Sequence, residues 1–281
     1  MLKKIWPDIE KMGYCLYEIA VMDENGLQWK RVQPSNLCQD SYSVTKAFTM
    51  TAAGMLFDQG KLDVNEKILP IMQQEGYREA APGWEKVTVD HVLTHKMGLS
   101  EGFLDIDVED AGAYDTLDYM QMVLRHSLPL EPGTKWQYSD AAYYLMSRIV
   151  AARAGKTCDM VLADMMYRMM RFREAAWSRC PLGHPIGATG LYVAARDMVK
   201  LGWLYANRGV YGGERVLSEA WVDLALGRYE FAHVGHGIYG KGGMNGQMLL
   251  FSPEKKISVA WHGFEESGMP KMMEYLVEKM K

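Results

Sequence analysis

A serine and a lysine stand three positions apart in the stretch "SYSVTKAFTMTAAGMLFDQGKLD", residues 41–63. The run of Ala, Met, Leu and Phe predicts a helix, and positions i and i+3 of a helix share a face, so Ser43 and Lys46 can point into one cleft. A neutral amine beside a hydroxyl can act as the base that turns the hydroxyl into a nucleophile. The N–H groups at a helix start also favour the negative charge that this chemistry creates. Nucleophilic catalysis by Ser43 is therefore one interpretation of the stretch.

A structural interpretation explains the same residues. Asp40 or Ser41 could cap the helix, leaving Ser43 without a role and Lys46 as a solvated surface lysine. Because S-x-x-K occurs often by chance, the pattern alone favours this interpretation. Further motifs are needed to decide between the two.

Two later stretches supply such motifs. The first, "WQYSDAAYYLM" (136–146), places the triplet YSD in a turn that opens a helix. The second, "GIYGKGGMNGQMLLFS" (237–252), places the triplet KGG at the start of a predicted strand. Polar groups at three places in the chain favour the catalytic interpretation.

In this order, "SVTK", "YSD" and "KGG" resemble the S-x-x-K, Y-x-N and K-T-G or H-x-G motifs of the serine β-lactamase and penicillin-binding-protein superfamily, specifically its class C β-lactamase-like esterase branch. The intervening text is similar as well, as in "KVTVDHVLTHKMGL" (86–99) and "EPGTKWQYSDAAYYLMSRIVAARAG" (131–155). The resemblance covers nearly the whole chain, and three motifs in the family's order make it specific.

The resemblance implies a role for each motif. Ser43 would be the acyl-forming nucleophile, Lys46 would remove its proton, and Tyr138 would take part in proton transfer. The oxyanion would lie between the backbone N–H groups of Ser43 and Met244. Gly243, just before Met244, would let the strand edge approach the substrate closely.

The substrate-binding positions include two departures from the family pattern. Lys241 would add positive charge and hold a substrate carboxylate, but the next residue, Gly242, stands where many β-lactam-binding members have a hydroxyl. Asp140 stands where the family usually has Asn. An ionised carboxylate there can accept a hydrogen bond from Lys46 but cannot donate one to a substrate carbonyl.

The elements that would position these motifs follow from hydrophobic periodicity. Two strand patterns flank Asn25-Gly26, a dipeptide suited to a tight hairpin, and two more return after residue 235 as "GQMLLFS" and "KISVAWHG". Residues 41–228 are mostly helical and include an amphipathic helix in 141–155. The tail "MPKMMEYLVEKMK" is also helical.

We therefore expect a mixed α+β fold, β-lactamase/transpeptidase-like, in a single catalytic domain spanning residues 1–281. An antiparallel sheet built from N- and C-terminal strands, about residues 1–40 and 235–281, would be flanked by the terminal helices. A largely helical region would cover about residues 41–234. The resemblance implies an active site in the groove between the two.

Composition excludes several classes of function. A net charge of −4 gives no basic field for nucleic acid or an anionic membrane. The N-terminus lacks the unbroken apolar stretch of a signal peptide, and no segment approaches the roughly 20 apolar residues of a membrane span, so we expect a cytoplasmic protein. The scattered cysteines predict free thiols in a reducing compartment: Cys15, Cys38, Cys158 and Cys180.

We expect no cofactor and no metal. His91 and His95, spaced i and i+4, could share a metal, but without an evident third ligand a packed pair at a helix end is favoured. "GIYGKGGMNG" lacks the lysine spacing of a P-loop. His262 could reach the cleft from the strand beside Lys241, or it could lie on the surface at a strand end. The sequence does not distinguish between these two positions.

The predicted function is that of a serine hydrolase that forms an acyl-enzyme with a carboxylic ester or small amide. A β-lactam hydrolase is the first alternative, and Asp140 weighs against it because it removes a donor. A non-catalytic relative that keeps the groove for binding is the second alternative, which the intact Ser43, Lys46 and Tyr138 oppose. The expected partner is a small-molecule ester, amide or lactam, and the sequence does not indicate an oligomeric state.

Overall fold

The computed structural model describes residues 1–264 and 269–281. The helices are α1 (Leu2–Met12), α2 (Thr45–Asp58), α3 (Ile68–Gln74), α4 (Val89–Leu93), α5 (Tyr119–Arg125), α6 (Asp140–Ala154), α7 (Cys158–Ala163), α8 (Ala195–Ala206), α9 (Glu219–Arg228) and α10 (Met269–Met280). The strands are β1 (Leu16–Asp23), β2 (Gly26–Arg31), β3 (Gln39–Asp40), β4 (Ala175–Trp177), β5 (Leu191–Val193), β6 (Val210–Tyr211), β7 (Glu214–Arg215), β8 (Ala232–Gly235), β9 (Ile238–Gly242), β10 (Met248–Ser252) and β11 (Ile257–Gly263).

The chain forms two compact units. The sheet unit comprises Met1–Val44, Asp164–Ala176 and Leu191–Lys281, and the helical unit comprises Thr45–Ala163 and Trp177–Gly190. The expectation of a single catalytic domain stays a prediction. Among the described residues, no helix is both long enough and apolar enough to cross a membrane, and a cytoplasmic location stays a prediction too.

The sheet unit is built on a six-stranded sheet in the order β2-β1-β11-β10-β9-β8. The pairings along it are antiparallel, so the N-terminal hairpin joins the C-terminal strands through β1 and β11. The hairpin turns at Glu24-Asn25, one residue earlier than the predicted Asn25-Gly26, because Asp23 pairs with Gly26. Gly26, the first residue of β2, takes a φ of +96°, a conformation that glycine adopts at little cost. The predicted fold class and the antiparallel sheet from both ends of the chain are confirmed.

Helices cover the sheet because alternate strand residues point to opposite faces. Apolar residues of α1 and α10 form one core with Ile257 and Val259 of β11 and their neighbours on the sheet. Ser258, between those two, points the other way, towards α8: a Cβ built on Gly202 of α8 would lie 2.2 Å from the Ser258 hydroxyl oxygen. The bare backbone of Gly202 thus lets α8 pack closely on the sheet.

The helical unit is arranged around α6, which contacts α2, α3, α4, α5 and α7. The sequence predicted an amphipathic helix here, but Asp140 through Val150 are all buried. Because neighbouring helices pack around α6, its polar residues lie inside the unit and not on a solvated face. The helix ends as predicted at Gly155, which takes a left-handed φ of +68°.

Candidate functional site

The helical segment that carries Ser43 begins with a single 3-10 turn, Tyr42–Val44, which leads directly into α2. Asp40 caps this turn, since its Oδ1 accepts a hydrogen bond from the Tyr42 N–H at 2.8 Å. Ser41 is buried and donates through Oγ to the Leu191 carbonyl at 2.7 Å. Tyr42 has a φ of +46°, which is unusual for a residue with a side chain. Asp40 therefore supplies the predicted cap, and Ser43 follows it, half-buried.

Lys46 lies wholly inside the helical unit. Its side chain is 0% exposed, and Nζ is 2.7 Å from Asp140 Oδ1. The same nitrogen donates to the Ala188 carbonyl at 2.9 Å and lies 4.7 Å from the centroid of the Tyr138 ring. The interpretation of Lys46 as a solvated surface lysine is wrong. The fold brings the lysine of the first motif together with the tyrosine and the aspartate of the second.

Local contacts fix the position of Tyr138. The next residue, Ser139, accepts a hydrogen bond from the Phe103 N–H and donates one to the Phe103 carbonyl, at 3.2 and 3.1 Å. A Cβ on Gly102 would lie 2.6 Å from the Tyr138 carbonyl oxygen, so only glycine allows this approach. The buried ring of His95 stacks on the Tyr138 ring with centroids 4.8 Å apart. The turn before α6 is thus held on several sides.

His91 has a separate, structural task. Its Nδ1 accepts from the Thr88 N–H at 3.3 Å, and its own N–H donates to the Thr88 hydroxyl, so the two residues form a capping box at the start of α4. His91 therefore caps a helix, while His95 packs on Tyr138.

Two further carboxylates lie near the lysine, and sequence reasoning missed both. Oxygen atoms of Asp105, Asp107 and Asp140 all lie within 4.8 Å of one another. The Thr189 hydroxyl donates to Asp107 at 2.6 Å. Burial raises the pKa of Asp105, and the negative charges of Asp140 and Asp107 add to that rise. The only signal in the sequence was the alternating D-x-D of "DID", which is weak without its tertiary neighbours.

The third motif lies in the sheet unit, beside the turn that carries Ser43. The sequence placed KGG at the start of a strand, but Lys241 and Gly242 end β9 and Gly243 follows it. The sequence did not predict β9 because glycines break its alternating pattern. Its position is instead set by pairing with β10, in which Lys241 lies opposite Leu249. A Cβ on Gly243 would lie 2.4 Å from the Ser41 carbonyl oxygen. Glycine is thus required where the end of β9 meets the Ser41–Tyr42 backbone.

The turn after Gly243 is anchored on both sides. It is a 3-10 turn, Met244–Gly246, in which Asn245 donates through Nδ2 to the Tyr42 hydroxyl at 3.1 Å. The carbonyl of Gln247 accepts from the Gly243 N–H at 2.8 Å. Met244 itself is 37% exposed. These bonds hold the backbone of Met244 next to the Tyr42–Val44 turn.

His262 supports this turn from inside the sheet unit. Neither sequence interpretation is right: the residue is 1% exposed, and β10 separates its strand β11 from β9, which carries Lys241. His262 Nδ1 lies 2.8 Å from Gln247 Oε1. Gln247 Nε2 donates to the carbonyls of Asn245 and Gly263, so its Oε1 acts as the acceptor and His262 Nδ1 as the donor. Burial lowers the pKa of His262 to about 3, and the ring is neutral.

Lys241 has a carboxylate partner within its own unit. Its Nζ forms an ion pair with Glu230 Oε2, and the two side chains are 12% and 4% exposed. Glu230 was not among the predicted site residues, because nothing near "RYEFAH" in the sequence relates it to a strand tip further along the chain. Lys241, which was expected to hold a substrate carboxylate, is thus already paired with a carboxylate of the protein itself.

The comparisons with known proteins indicate the same family as the three motifs. The family model described as Beta-lactamase matches residues 24–263. The chain is 33% identical over 150 residues to the N-acetylmuramyl-L-alanine amidase of Bacillus subtilis (strain 168), an alignment that covers 50% of this chain and 33% of that protein. The aligned part is thus about a third of the amidase's length.

Solved structures share the fold at low sequence identity. The octameric penicillin-binding protein homologue from Pyrococcus abyssi matches with a TM-score of 0.74 at 17% identity, over 99% of this chain and 76% of that chain. EstCE1, a hydrolase with promiscuous acyltransferase activity, matches with a TM-score of 0.70 at 14% identity, over 93% and 92% of the two chains. These likenesses support the fold class.

Proposed function

Because this chain belongs to the Beta-lactamase family, a family of hydrolases, we propose that it is a serine hydrolase that forms an acyl-enzyme with a carboxylic ester or a small amide. The observation that carries the proposal is the burial of Lys46 against Asp140 and Tyr138. A long cationic side chain is rarely buried without a specific reason, since removing its charge from water is costly. Catalysis by the S-x-x-K pair supplies such a reason.

In the proposed reaction, neutral Lys46 accepts the proton of the Ser43 hydroxyl as Oγ forms a bond to the substrate carbonyl carbon. The carbonyl electrons move to oxygen, and the backbone N–H groups of Ser43 and Met244 donate to that oxyanion. Collapse of this intermediate expels the leaving group, which takes up, through the Tyr138 hydroxyl, the proton that Lys46 had accepted from Ser43. Water then attacks the acyl-enzyme by the reverse sequence and releases the carboxylic acid.

The geometry around Gly243 supports the oxyanion assignment. Two backbone segments distant in sequence meet where Gly243 approaches Ser41, and Asn245 ties the later segment to Tyr42. Backbone donors fixed in this way need no rearrangement when charge develops on the substrate oxygen.

Asp140 acts on Lys46 in two opposing ways. A carboxylate at 2.7 Å stabilises the ammonium that Lys46 becomes on accepting the proton. The same carboxylate lowers the fraction of neutral Lys46 that is available to accept a proton. Replacing Asp140 therefore tests which of the two effects limits acylation.

The relatives' activities bear on the substrate class. The curated relative is an amidase and EstCE1 is a hydrolase with acyltransferase activity, which supports acyl transfer from an amide or an ester. β-Lactam hydrolysis ranks second because Asp140 and Gly242 each replace a residue that would contact such a substrate. A non-catalytic role in binding ranks third, and the Lys46–Asp140 ion pair is the feature that favours it.

A fluorophosphonate probe tests the proposal. We expect one covalent adduct, on the peptide that contains Ser43, and no adduct in Ser43→Ala. Ser218→Ala is a matched control, because Ser218 also stands at a helix start, where its hydroxyl accepts from the Trp221 N–H. It should label like the wild type. Equal labelling of Ser43→Ala would contradict the proposal, and a folded wild-type protein that never labels would favour the binding role.

A further inference from the structure

The ion pair between Lys241 and Glu230 bears on which acyl groups the site accepts. Both side chains belong to the sheet unit and both are largely withdrawn from water. Breaking such a pair leaves one charge buried without compensation, so an incoming anion must displace a partner that is already in place. Lys241 is thus less able to attract a second carboxylate than a solvated lysine would be.

The fold holds Glu230 firmly. It lies just before β8, which pairs with β9 through Ala232 and Gly240. The next residue, Phe231, packs in an aromatic cluster, with ring centroids 4.7 Å from Tyr205 and 4.8 Å from Phe251. Because the backbone that follows Glu230 is anchored at the sheet edge, its carboxylate stays within reach of Lys241.

The residue beside Lys241 offers no substitute contact. Gly242 lacks the hydroxyl that could donate to a carboxylate. A Cβ at this position would lie 3.3 Å from Met248 Cε, so the surroundings of Gly242 are apolar on this side. The third motif therefore has no side-chain hydrogen-bond donor at position 242.

We propose that Glu230 is a specificity-determining residue, which neutralises Lys241 so that the site takes acyl donors without a carboxylate on the acyl group. The inference rests on the proposed acyl-enzyme function and narrows its substrate class to uncharged esters and amides. A second carboxylate near Lys241 would also lie near Glu230, and like charges at short range repel.

Two aryl esters with the same leaving group test this inference. One carries a butyryl group and the other a succinyl group, which has the same chain length but ends in a carboxylate. The selectivity is the ratio of their kcat/KM values, measured by release of the aryl alcohol. In the wild type we expect the butyryl ester to be favoured at least about tenfold, because a buried, paired lysine gives the anion little compensation.

The variant Glu230→Gln keeps the shape of the side chain and removes its charge. We expect the selectivity ratio to shift towards the succinyl ester by about tenfold or more, mainly through a lower KM for that ester. Glu254→Gln is the matched control: its exposed carboxylate pairs with Lys255 in the same unit, so it removes one charge elsewhere. Its ratio should remain that of the wild type.

The outcomes separate the two proposals. A wild-type protein that prefers the succinyl ester overturns the proposed role of Glu230, and this result does not depend on whether Glu230→Gln folds. An unchanged selectivity ratio in a folded Glu230→Gln variant overturns it as well. If neither ester is hydrolysed in a Ser43-dependent manner, the proposed function is wrong and the inference falls with it. If both esters are hydrolysed at equal rates in a Ser43-dependent manner, the proposed role of Glu230 is wrong and the proposed function is unaffected.

Discussion

Among individual residues, Lys46 has the most unusual environment, because several carboxylates lie near a single amine. Asp140 pairs with it directly, and Asp105 and Asp107 complete a cluster with Asp140. Three ionised carboxylates around one ammonium would leave excess negative charge in a half-buried place, so a proton on one of them is favoured. The raised pKa of Asp105 makes this carboxyl easier to protonate than a solvated aspartate.

Replacing Asp140 should change the pH dependence of acylation. In Asp140→Asn the Lys46 amine loses the carboxylate that lies 2.7 Å from its Nζ, so the ammonium form is less favoured relative to the neutral amine. We expect the rising limb of the acylation rate to move towards neutral pH, with a higher rate at pH 7. The measurement is the pre-steady-state release of an aryl alcohol whose departure needs no protonation.

Asp115→Asn is the control for that experiment, because this exposed aspartate belongs to the same unit. Its limb should coincide with that of the wild type. A limb that moves to higher pH in Asp140→Asn would show that the electrostatic account has the wrong sign, and an unmoved limb would show that Asp140 does not act on Lys46.

Asp105 should make stability fall as the pH rises. The unfolded chain releases this proton near the ordinary value of 3.8, whereas the native state, with its raised pKa, still holds it. Stability is therefore fully present below 3.8 and is lost as the pH rises through the native pKa. We expect Asp105→Asn to gain melting temperature relative to wild type at pH 7 and to gain less at pH 4, as measured by calorimetry. A larger gain at pH 4 would contradict this.

At the scale of the elements, the sequence predicted those features that are determined by residues nearby in the chain. The end of α6 at Gly155 follows from cap chemistry and is confirmed. The hairpin follows from turn chemistry and is confirmed as well, although its turn lies at Glu24-Asn25, one residue before the predicted position. The burial of α6 on all sides and the end of β9 at Gly242 could not be predicted, because both depend on what packs or pairs from elsewhere in the chain.

The same division holds for the candidate site. Ser43, Lys46 and Tyr138 could be found because their spacing is a motif. Glu230 and Asp105 could not, because an ion pair or a carboxylate cluster leaves no spacing in the sequence.

The end of β9 gives a prediction at this scale. Gly243→Ala places a Cβ 2.4 Å from the Ser41 carbonyl oxygen, a backbone atom that cannot rotate away. The strand end must shift, and the Met244 N–H shifts with it. We expect kcat/KM for a simple ester to fall about a hundredfold, the loss typical of a misplaced oxyanion donor.

Gly242→Ala is the matched substitution at the neighbouring position. Its Cβ would meet only the flexible end of Met248, at 3.3 Å. We expect activity within a few-fold of wild type. Equal losses in the two alanine variants would show that Gly243 has no special part in the site.

For the molecule as a whole, His262 should make stability depend on pH in the direction opposite to Asp105. Burial lowers the pKa of His262 from 6.5 to about 3, so the unfolded chain binds a proton below 6.5 that the native state refuses. This contribution is present above 6.5 and is lost as the pH falls, with a slope of at most about 1.4 kcal/mol per pH unit.

Urea unfolding at pH 4 and pH 7 measures this contribution. The difference in unfolding free energy between the two pH values should shrink in His262→Gln, because a glutamine does not titrate. His233→Gln, which replaces an exposed histidine of the same unit, should keep the wild-type difference. If His262→Gln keeps it as well, the native ring titrates normally.

The cysteines give a prediction on redox behaviour. All four are thiols and not disulfides, as the sequence predicted. Burial raises the pKa of the Cys158 thiol to about 12, which leaves almost no reactive thiolate at neutral pH, whereas Cys15 is exposed. Iodoacetamide should label Cys15 in the native protein and Cys158 only after unfolding, and reductant should not change the melting temperature. Rapid native labelling of Cys158 would contradict this.

The strand order of the main sheet has a consequence for biosynthesis. β1 precedes the helical unit in the chain and its partner β11 follows it, so the whole helical unit leaves the ribosome before β1 can acquire its second neighbour. Until then the nascent hairpin presents an open strand edge, the kind of surface that chaperones shield and that aggregates form on. The bond from Asn245 to Tyr42 comes equally late. A truncated translation product would therefore lack the support of the Ser43 turn.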